Sequence, residues 1–214
     1  MNKLILFGGG VDSYLLAKRA IPSCTLLYIS YGCKAEKAEI KSLENTANKF
    51  GHSIDIIELP TELFDSSLIE GSYLNMNAVM DFTGQHATYI TNRNYLFLLI
   101  AVNYAKNHGY NVIESGIIKP SSEAVSPFPD CRPKNLVPFI DIILMGTTGI
   151  AINLPLLHKT KEYVMSSLDA QDLQIAYSCY ESEEMSSNFP WGRGCGKCPS
   201  CRTKIDIFNK QQSL

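Results

Sequence analysis

The sequence predicts an α/β protein built on a doubly wound, mostly parallel sheet, with a cysteine-rich C-terminal segment. Three observations predict it. Short apolar runs of strand length alternate with longer stretches of helical spacing, the pattern of parallel strands covered on both faces. The first strand and helix are joined by Gly8-Gly9-Gly10, and Cys195, Cys198 and Cys201 crowd together near the C-terminus.

Each element has its own signal. Residues 3–7 are a continuous apolar run of buried-strand length, and residues 11–20 place Val11, Leu15 and Leu16 on one side of a helix. Residues 24–30 form a second apolar strand. Residues 34–50 carry Ile40, Leu43, Ala47 and Phe50 at helical spacing, with Gly51 just past the end as a stop. A third strand at 53–59 precedes a strongly apolar helix at 94–107, again stopped by a glycine, Gly109. Residues 111–116 are a fourth strand, 133–146 are mostly helical, and 151–155 are a fifth strand. Thr160 is placed to N-cap a helix that runs through 168. Residues 1–175 read as the α/β body and 176–214 as a metal-binding segment packed on the same domain.

Composition narrows the function classes. With 214 residues, 45% of them hydrophobic, the chain can bury a full core. A net charge of −2 makes no electrostatic case for nucleic acid as a direct partner. Seven cysteines, three of them clustered, with no signal peptide or apolar stretch of membrane length, argue against a secreted disulfide framework. A cytoplasmic, membrane-free protein is expected. No internal repeat or low-complexity tract is visible.

Strand, glycine turn and helix together aim free backbone N–H groups at an anion. The dinucleotide fingerprint fails, because its third glycine is Ser13 and the acid expected after the second strand is Ser30. The Gly-x4-Gly-Lys-Ser/Thr loop fails because no Lys-Ser or Lys-Thr follows. A ligand-free glycine turn stays open as the alternative. At the other end Cys179, Cys195, Cys198 and Cys201 have the spacing C-x15-C-x2-C-x2-C. Four thiolates joined by tight turns suit a structural Zn²⁺ with no open coordination position, against the alternatives of an iron–sulfur cluster or redox thiols. Such an ion would pin the C-terminal segment to the body.

The loop Gly8-Gly9-Gly10-Val11-Asp12-Ser13 resembles the Ser-Gly-Gly-x-Asp-Ser loop of ATP pyrophosphatases, with Gly8 in place of the first serine. The chain as a whole resembles the 7-cyano-7-deazaguanine synthase family. The resemblance runs through Tyr31-Gly32, Thr88 to Phe97 with Arg93-Asn94 inside it, Pro129-Asp130-Cys131-Arg132, Pro155-Leu156, Lys161 and Ser178-Cys179-Tyr180. It implies an adenine nucleotide alpha hydrolase-type fold and an enzyme that uses Mg²⁺-ATP to adenylate the carboxylate of 7-carboxy-7-deazaguanine. Ammonia then yields the amide, and a second ATP yields the nitrile. The resemblance further implies that Phe7 to Ser13 bind ATP, with Asp12, Ser13 and Lys161 catalytic and Asp12 helping to hold Mg²⁺. Tyr31, Arg93, Asn94, Asp130 and Arg132 would meet the substrate, Arg93 also lying near the nucleotide. Family members are commonly homodimers.

Departures from the family pattern fall mainly on the substrate side. Cys33-Lys34-Ala35 replaces Gln-Arg-His, Thr91-Asn92 replaces Pro-Gly, and Pro127-Phe128 replaces Gly-Tyr. Pro133-Lys134-Asn135 follows Arg132 where an acid and an aromatic are common, and Tyr163 stands where a glutamate often follows the lysine. These leave open a paralogue that sends the activated carboxylate to another amine, on a protein or a small molecule, and an inactive nucleotide-binding module. His52, His86, His108 and His158 show no metal spacing; Cys24 and Cys33 read as ordinary buried thiols, and Cys131 stays undecided.

Overall fold

A computed structural model describes residues 2–21, 23–72, 87–119 and 128–212; His86 and Pro127 lie outside these. The five anticipated strands form β1 (Lys3–Leu6), β2 (Thr25–Ser30), β3 (Ser53–Glu58), β4 (Val112–Ser115) and β5 (Ala151–Asn153). They pair in the order β3-β2-β1-β4-β5. Every pairing is parallel, with Leu4 opposite Thr25 on one side and Ile113 on the other. The order reverses between β1 and β4, so a crevice opens at the carboxyl ends of those two strands.

Alternate strand residues face opposite layers. Ile5, Leu26 and Tyr28 pack with Tyr14 and Leu15 of α1 (Val11–Arg19), Leu43 of α2 (Glu36–Phe50), Val164 of α5 (Lys161–Ser166) and Ile207 of α7 (Pro199–Gln212). Leu4, Leu27 and Ile113 pack with Leu98 and Val102 of α3 (Arg93–His108) and Leu136 and Ile140 of α4 (Pro133–Met145). Each such fully buried side chain contributes about 1.5–3 kcal/mol. Helix stops fall where glycine marks them: Gly51 and Gly109 are left-handed C-caps of α2 and α3. The Thr160 side chain accepts a hydrogen bond from the Tyr163 N–H, capping α5.

Three elements carried no sequence signal that was read: α6 (Ala170–Ile175), and a hairpin of β6 (Ser187–Phe189) with β7 (Gly192–Gly194). Three-residue strands are too short for alternation to register. Helix α6 is held by its first turn, in which Asp169 and Asp172 form a reciprocal capping box. Asp172 is fully buried and takes hydrogen bonds from Tyr14 Oη (2.6 Å), Lys49 Nζ (2.9 Å) and Lys18 Nζ. Burial alone would raise its pKa; those three donors outweigh it and hold the carboxyl well below its usual range.

Asn92, at the N-cap of α3, is the one non-glycine residue with positive φ (56°) among the described residues. Asparagine tolerates this left-handed conformation far better than alanine does. Asn92→Ala is expected to cost about 1 kcal/mol by urea unfolding, whereas Asn92→Gly does not destabilise; equal losses in both variants would contradict this account.

Candidate active site and metal centre

A cavity of about 1040 Å³ opens at the carboxyl ends of the central strands. Its floor is the Gly8–Ser13 turn. Gly9 has φ +72°, and a Cβ there would lie 2.9 Å from the backbone of Glu39, so α2 closes on the turn only because this residue is glycine. The Gly9 carbonyl accepts from Ser42 Oγ (2.9 Å) and from the Tyr177 N–H (2.7 Å). Ser13 Oγ donates to the Gly10 carbonyl (3.1 Å) and accepts from the Gly8 N–H (3.3 Å). No side chain of the turn itself caps α1 at Gly10; Ser178 Oγ, 167 residues away, accepts the Val11 N–H at 3.1 Å.

Asp12 and Lys161 meet across this floor, Lys161 Nζ donating to Asp12 Oδ2 at 2.5 Å. The other oxygen, Asp12 Oδ1, is buried and has no hydrogen-bond partner. A carboxylate oxygen held out of water without a donor is costly unless a ligand completes it. Asp12 lines the same cavity as the anion-directed turn, and this arrangement suits a divalent cation carried in with phosphate oxygens.

The opposite wall is aromatic and charged. Arg93, at the start of α3, donates to Tyr31 Oη at 3.1 Å and lies over the Tyr31 and Phe97 rings, 5.7 and 6.0 Å from their centroids. Asn94 lines the cavity beside it and donates from Nδ2 to Cys131 Sγ at 3.2 Å. Burial, with the Asp130 charge beside it, pushes the Cys131 thiol up to about 12, which favours the protonated form. Cys24 and Cys33 are buried thiols whose pKa burial also raises.

Of the residues singled out in the sequence, Phe7, Gly8, Gly10, Asp12, Ser13, Tyr31, Arg93, Asn94 and Lys161 line this one cavity. Gly9 and Val11 complete the turn from beneath. Asp130 and Arg132 flank Cys131, which lines the cavity, without lining it themselves. Asp130 Oδ2 accepts the Asn94 N–H at 3.0 Å, capping α3, whose own N-cap side chain makes no such bond. Arg132 is the N-cap residue of α4.

Glu39 is a cavity residue that sequence reading missed. Its Oε2 accepts from Tyr28 Oη at 2.7 Å. Burial raises its pKa to about 7 against the lowering effects of Tyr28 and Arg93. Nothing in the run Glu36-Lys-Ala-Glu39-Ile-Lys distinguishes Glu39 from its charged neighbours.

The sulfurs of Cys179, Cys195, Cys198 and Cys201 all lie within 4.8 Å of one another, with Cys179 and Cys198 at 3.9 Å. One tetrahedral ion with sulfurs about 2.3 Å away places them about 3.8 Å apart. A four-iron cube, each iron carrying its own thiolate at a separate corner, needs a wider spread. The four residues therefore fit a single ion. Backbone N–H groups of Cys195 (3.3 Å) and Glu181 (3.4 Å) point at the Cys179 sulfur. Gly194 is required here too, since a Cβ would lie 2.5 Å from Cys201 Sγ.

With this geometry in place, comparison with known proteins is decisive. The family profile described as "Queuosine biosynthesis protein QueC" matches residues 2–212. The chain belongs to the QueC family. Among curated members it is 31% identical to the 7-cyano-7-deazaguanine synthase of Wolinella succinogenes over 225 residues, covering 99% of this chain and 94% of the relative. It is 32% identical to that of Leptospira biflexa over 234 residues (96% and 89%) and 29% identical to that of Nitratiruptor sp. over 221 residues (98% and 94%). QueC-family relatives named as synthases support an enzyme here. Two solved structures share the fold at a TM-score of 0.50. One is a predicted subunit of tRNA methyltransferase from Methanocaldococcus jannaschii (19% identity, 78% of this chain and 75% of that one). The other is the U34-tRNA thiolase NcsA from Methanococcus maripaludis with its [4Fe-4S] cluster (13%, 100% and 67%). Among the described residues no helix of this QueC-family chain is long and apolar enough to cross a membrane.

Proposed function

We propose that this chain adenylates the carboxylate of 7-carboxy-7-deazaguanine with Mg²⁺-ATP and carries it through the amide to the nitrile. The observation that carries the reading is the convergence, in one cavity, of the Gly8–Ser13 turn, the Asp12–Lys161 pair and the Arg93–Glu39 wall. The carboxylate oxygen attacks the α-phosphorus of ATP and pyrophosphate leaves. Ammonia displaces AMP to give the amide, releasing a proton. The amide oxygen then attacks a second ATP, again releasing pyrophosphate, and loss of AMP and a proton leaves the nitrile. Positioning and charge neutralisation carry most of this chemistry. The turn and the α1 N-terminus receive the pyrophosphate, and Lys161 moves from Asp12 to a phosphate oxygen. Asp12 Oδ1 would hold the Mg²⁺ that comes with ATP, and the ion would supply neutralisation of phosphate charge. Arg93 meets the substrate carboxylate with its planar fork.

Glu39, which lines the cavity, is in this reading the carboxylate that meets the base, beside Asp130, whose Oδ2 caps α3 and whose Oδ1 has no hydrogen-bond partner. A carboxylate accepts from two adjacent N–H groups of a guanine-like edge. The metal ion at the four cysteines is Zn²⁺ in this reading, and it holds structure.

Incubation with Mg²⁺-ATP, 7-carboxy-7-deazaguanine and ammonium, followed by mass spectrometry, tests the proposal. Nitrile together with AMP is the expected result. AMP without nitrile would redirect the activated carboxylate to another amine, and absence of AMP would end the adenylation reading.

Glu39→Gln offers a pH-resolved check. The folded-state pKa of about 7 lies above the ordinary 4.5. The stabilising contribution of this group is therefore present below its unfolded pKa and lost as pH rises through the folded one. Replacing it with glutamine should stabilise the protein by about 1–3 kcal/mol at pH 8 and by little below pH about 4.5. Urea midpoints across that range read the difference, and a gap independent of pH would refute it.

A further inference from the structure

We propose that Ser178, supplied by the metal-binding segment, is the hydroxyl that completes the pyrophosphate cradle. Three hydroxyls bond the backbone of the turn, and that of Ser42 has its proton on the Gly9 carbonyl. The Ser13 hydroxyl has its proton on the Gly10 carbonyl. Ser178 Oγ accepts the Val11 N–H at 3.1 Å, and among the described residues its own proton has no protein acceptor. Ser178 lines the cavity, and its Oγ lies 3.3 Å from where a Cβ on Gly10 would stand. A hydroxyl whose oxygen takes an N–H keeps a rotatable proton, which it can turn to an acceptor in the cavity that Ser178 lines. An anionic oxygen seated there takes that proton as a charge-assisted hydrogen bond.

The position explains two other features. Gly8 offers no hydroxyl, and a side chain there would meet nothing within 4 Å, so the near side of the cradle is open. Ser178 lines the same cavity as Gly8. It also sits between Tyr177, whose N–H holds the Gly9 carbonyl at 2.7 Å, and Cys179, one of the four clustered cysteines. The cysteine centre therefore fixes the backbone that delivers the hydroxyl, and α1 receives its cap from the same atom that meets the anion.

This inference rests on the adenylation reading only in naming the anion as a pyrophosphate. Calorimetric titration of the metal-loaded protein with inorganic pyrophosphate tests it, alongside metal content and thermal midpoint. Ser178→Ala is expected to weaken pyrophosphate binding by about ten- to a hundredfold while metal content stays the same. The double variant Gly8→Ser/Ser178→Ala is expected to recover most of that loss, because a serine at Gly8 fits and faces the same anion. Unchanged binding in Ser178→Ala overturns the inference. So does a loss that comes with released metal or that Gly8→Ser does not repair, since either marks a structural role. Failure of the parent protein to bind pyrophosphate or ATP at all would instead sink the adenylation reading itself.

Discussion

Cys198→Ala is expected to release the metal ion and expose Trp191, the single tryptophan of the chain. Cys198 is 1% exposed and its sulfur lies 3.9 Å from that of Cys179. Trp191 belongs to the same buried cluster, stacked on Phe189 with ring centroids 4.5 Å apart and covered by the Lys204 ammonium at 4.9 Å. A structural ion of this kind contributes about 10–16 kcal/mol in small zinc peptides, comparable to the whole stability of a domain, about 5–15 kcal/mol. The hairpin β6–β7 buries too little apolar surface to stand without it. The damage reaches the sheet because α7 starts inside the cysteine motif and carries Ile207 into the core beside Ile5 and Leu26. The expected readout is a red-shifted Trp191 emission, loss of metal by elemental analysis and a thermal midpoint lowered by at least ten degrees, about what several kcal/mol produce. An unshifted emission with the metal gone would show that the ion holds nothing in place.

How far the fold was legible follows from where each signal resides. The five strands and the glycine stops at Gly51 and Gly109 are local: apolar runs and left-handed caps need no partner to be recognised. The turn at Gly8–Ser13 was legible for the same reason. The hairpin was not, because its three-residue strands form around the cysteine centre rather than from their own pattern. Asp130 was named for the substrate by resemblance; that its Oδ2 also caps α3 could not be read from the sequence, because the need arises from Asn92 standing in the left-handed region without a side-chain bond of its own. Glu39 faces the cavity because Gly9 lets α2 approach within a Cβ's breadth. Such an approach is tertiary, and no periodicity within α2 reports it.

Asp12→Asn is expected to reduce AMP formation by about 10²–10³-fold, the loss typical of one transition-state electrostatic contact. Two roles compete for this residue. As an acid in the first turn of α1 it favours the helix dipole, which is worth about 0.3–1 kcal/mol. As the holder of a cation it acts where charge moves between phosphates, and a contact of that kind is worth about 2.7–4 kcal/mol. Magnitude therefore separates them. Asparagine keeps the shape and removes the charge from Oδ1, the oxygen that is buried with no protein donor. The folded state has little to lose, since what the substitution removes is the partly exposed ion pair with Lys161, worth about 0–1 kcal/mol. Lys161 loses its partner at Oδ2 but keeps its reach to phosphate, so Lys161→Ala is expected to weaken ATP binding without changing the Mg²⁺ requirement. Asp12→Asn, in contrast, raises the Mg²⁺ concentration at half-maximal activity. Titrating Mg²⁺ at fixed ATP in both variants reads the distinction directly. A parent-like Mg²⁺ profile in Asp12→Asn would reduce this residue to a helix-end charge and leave the cation to be held by phosphate alone.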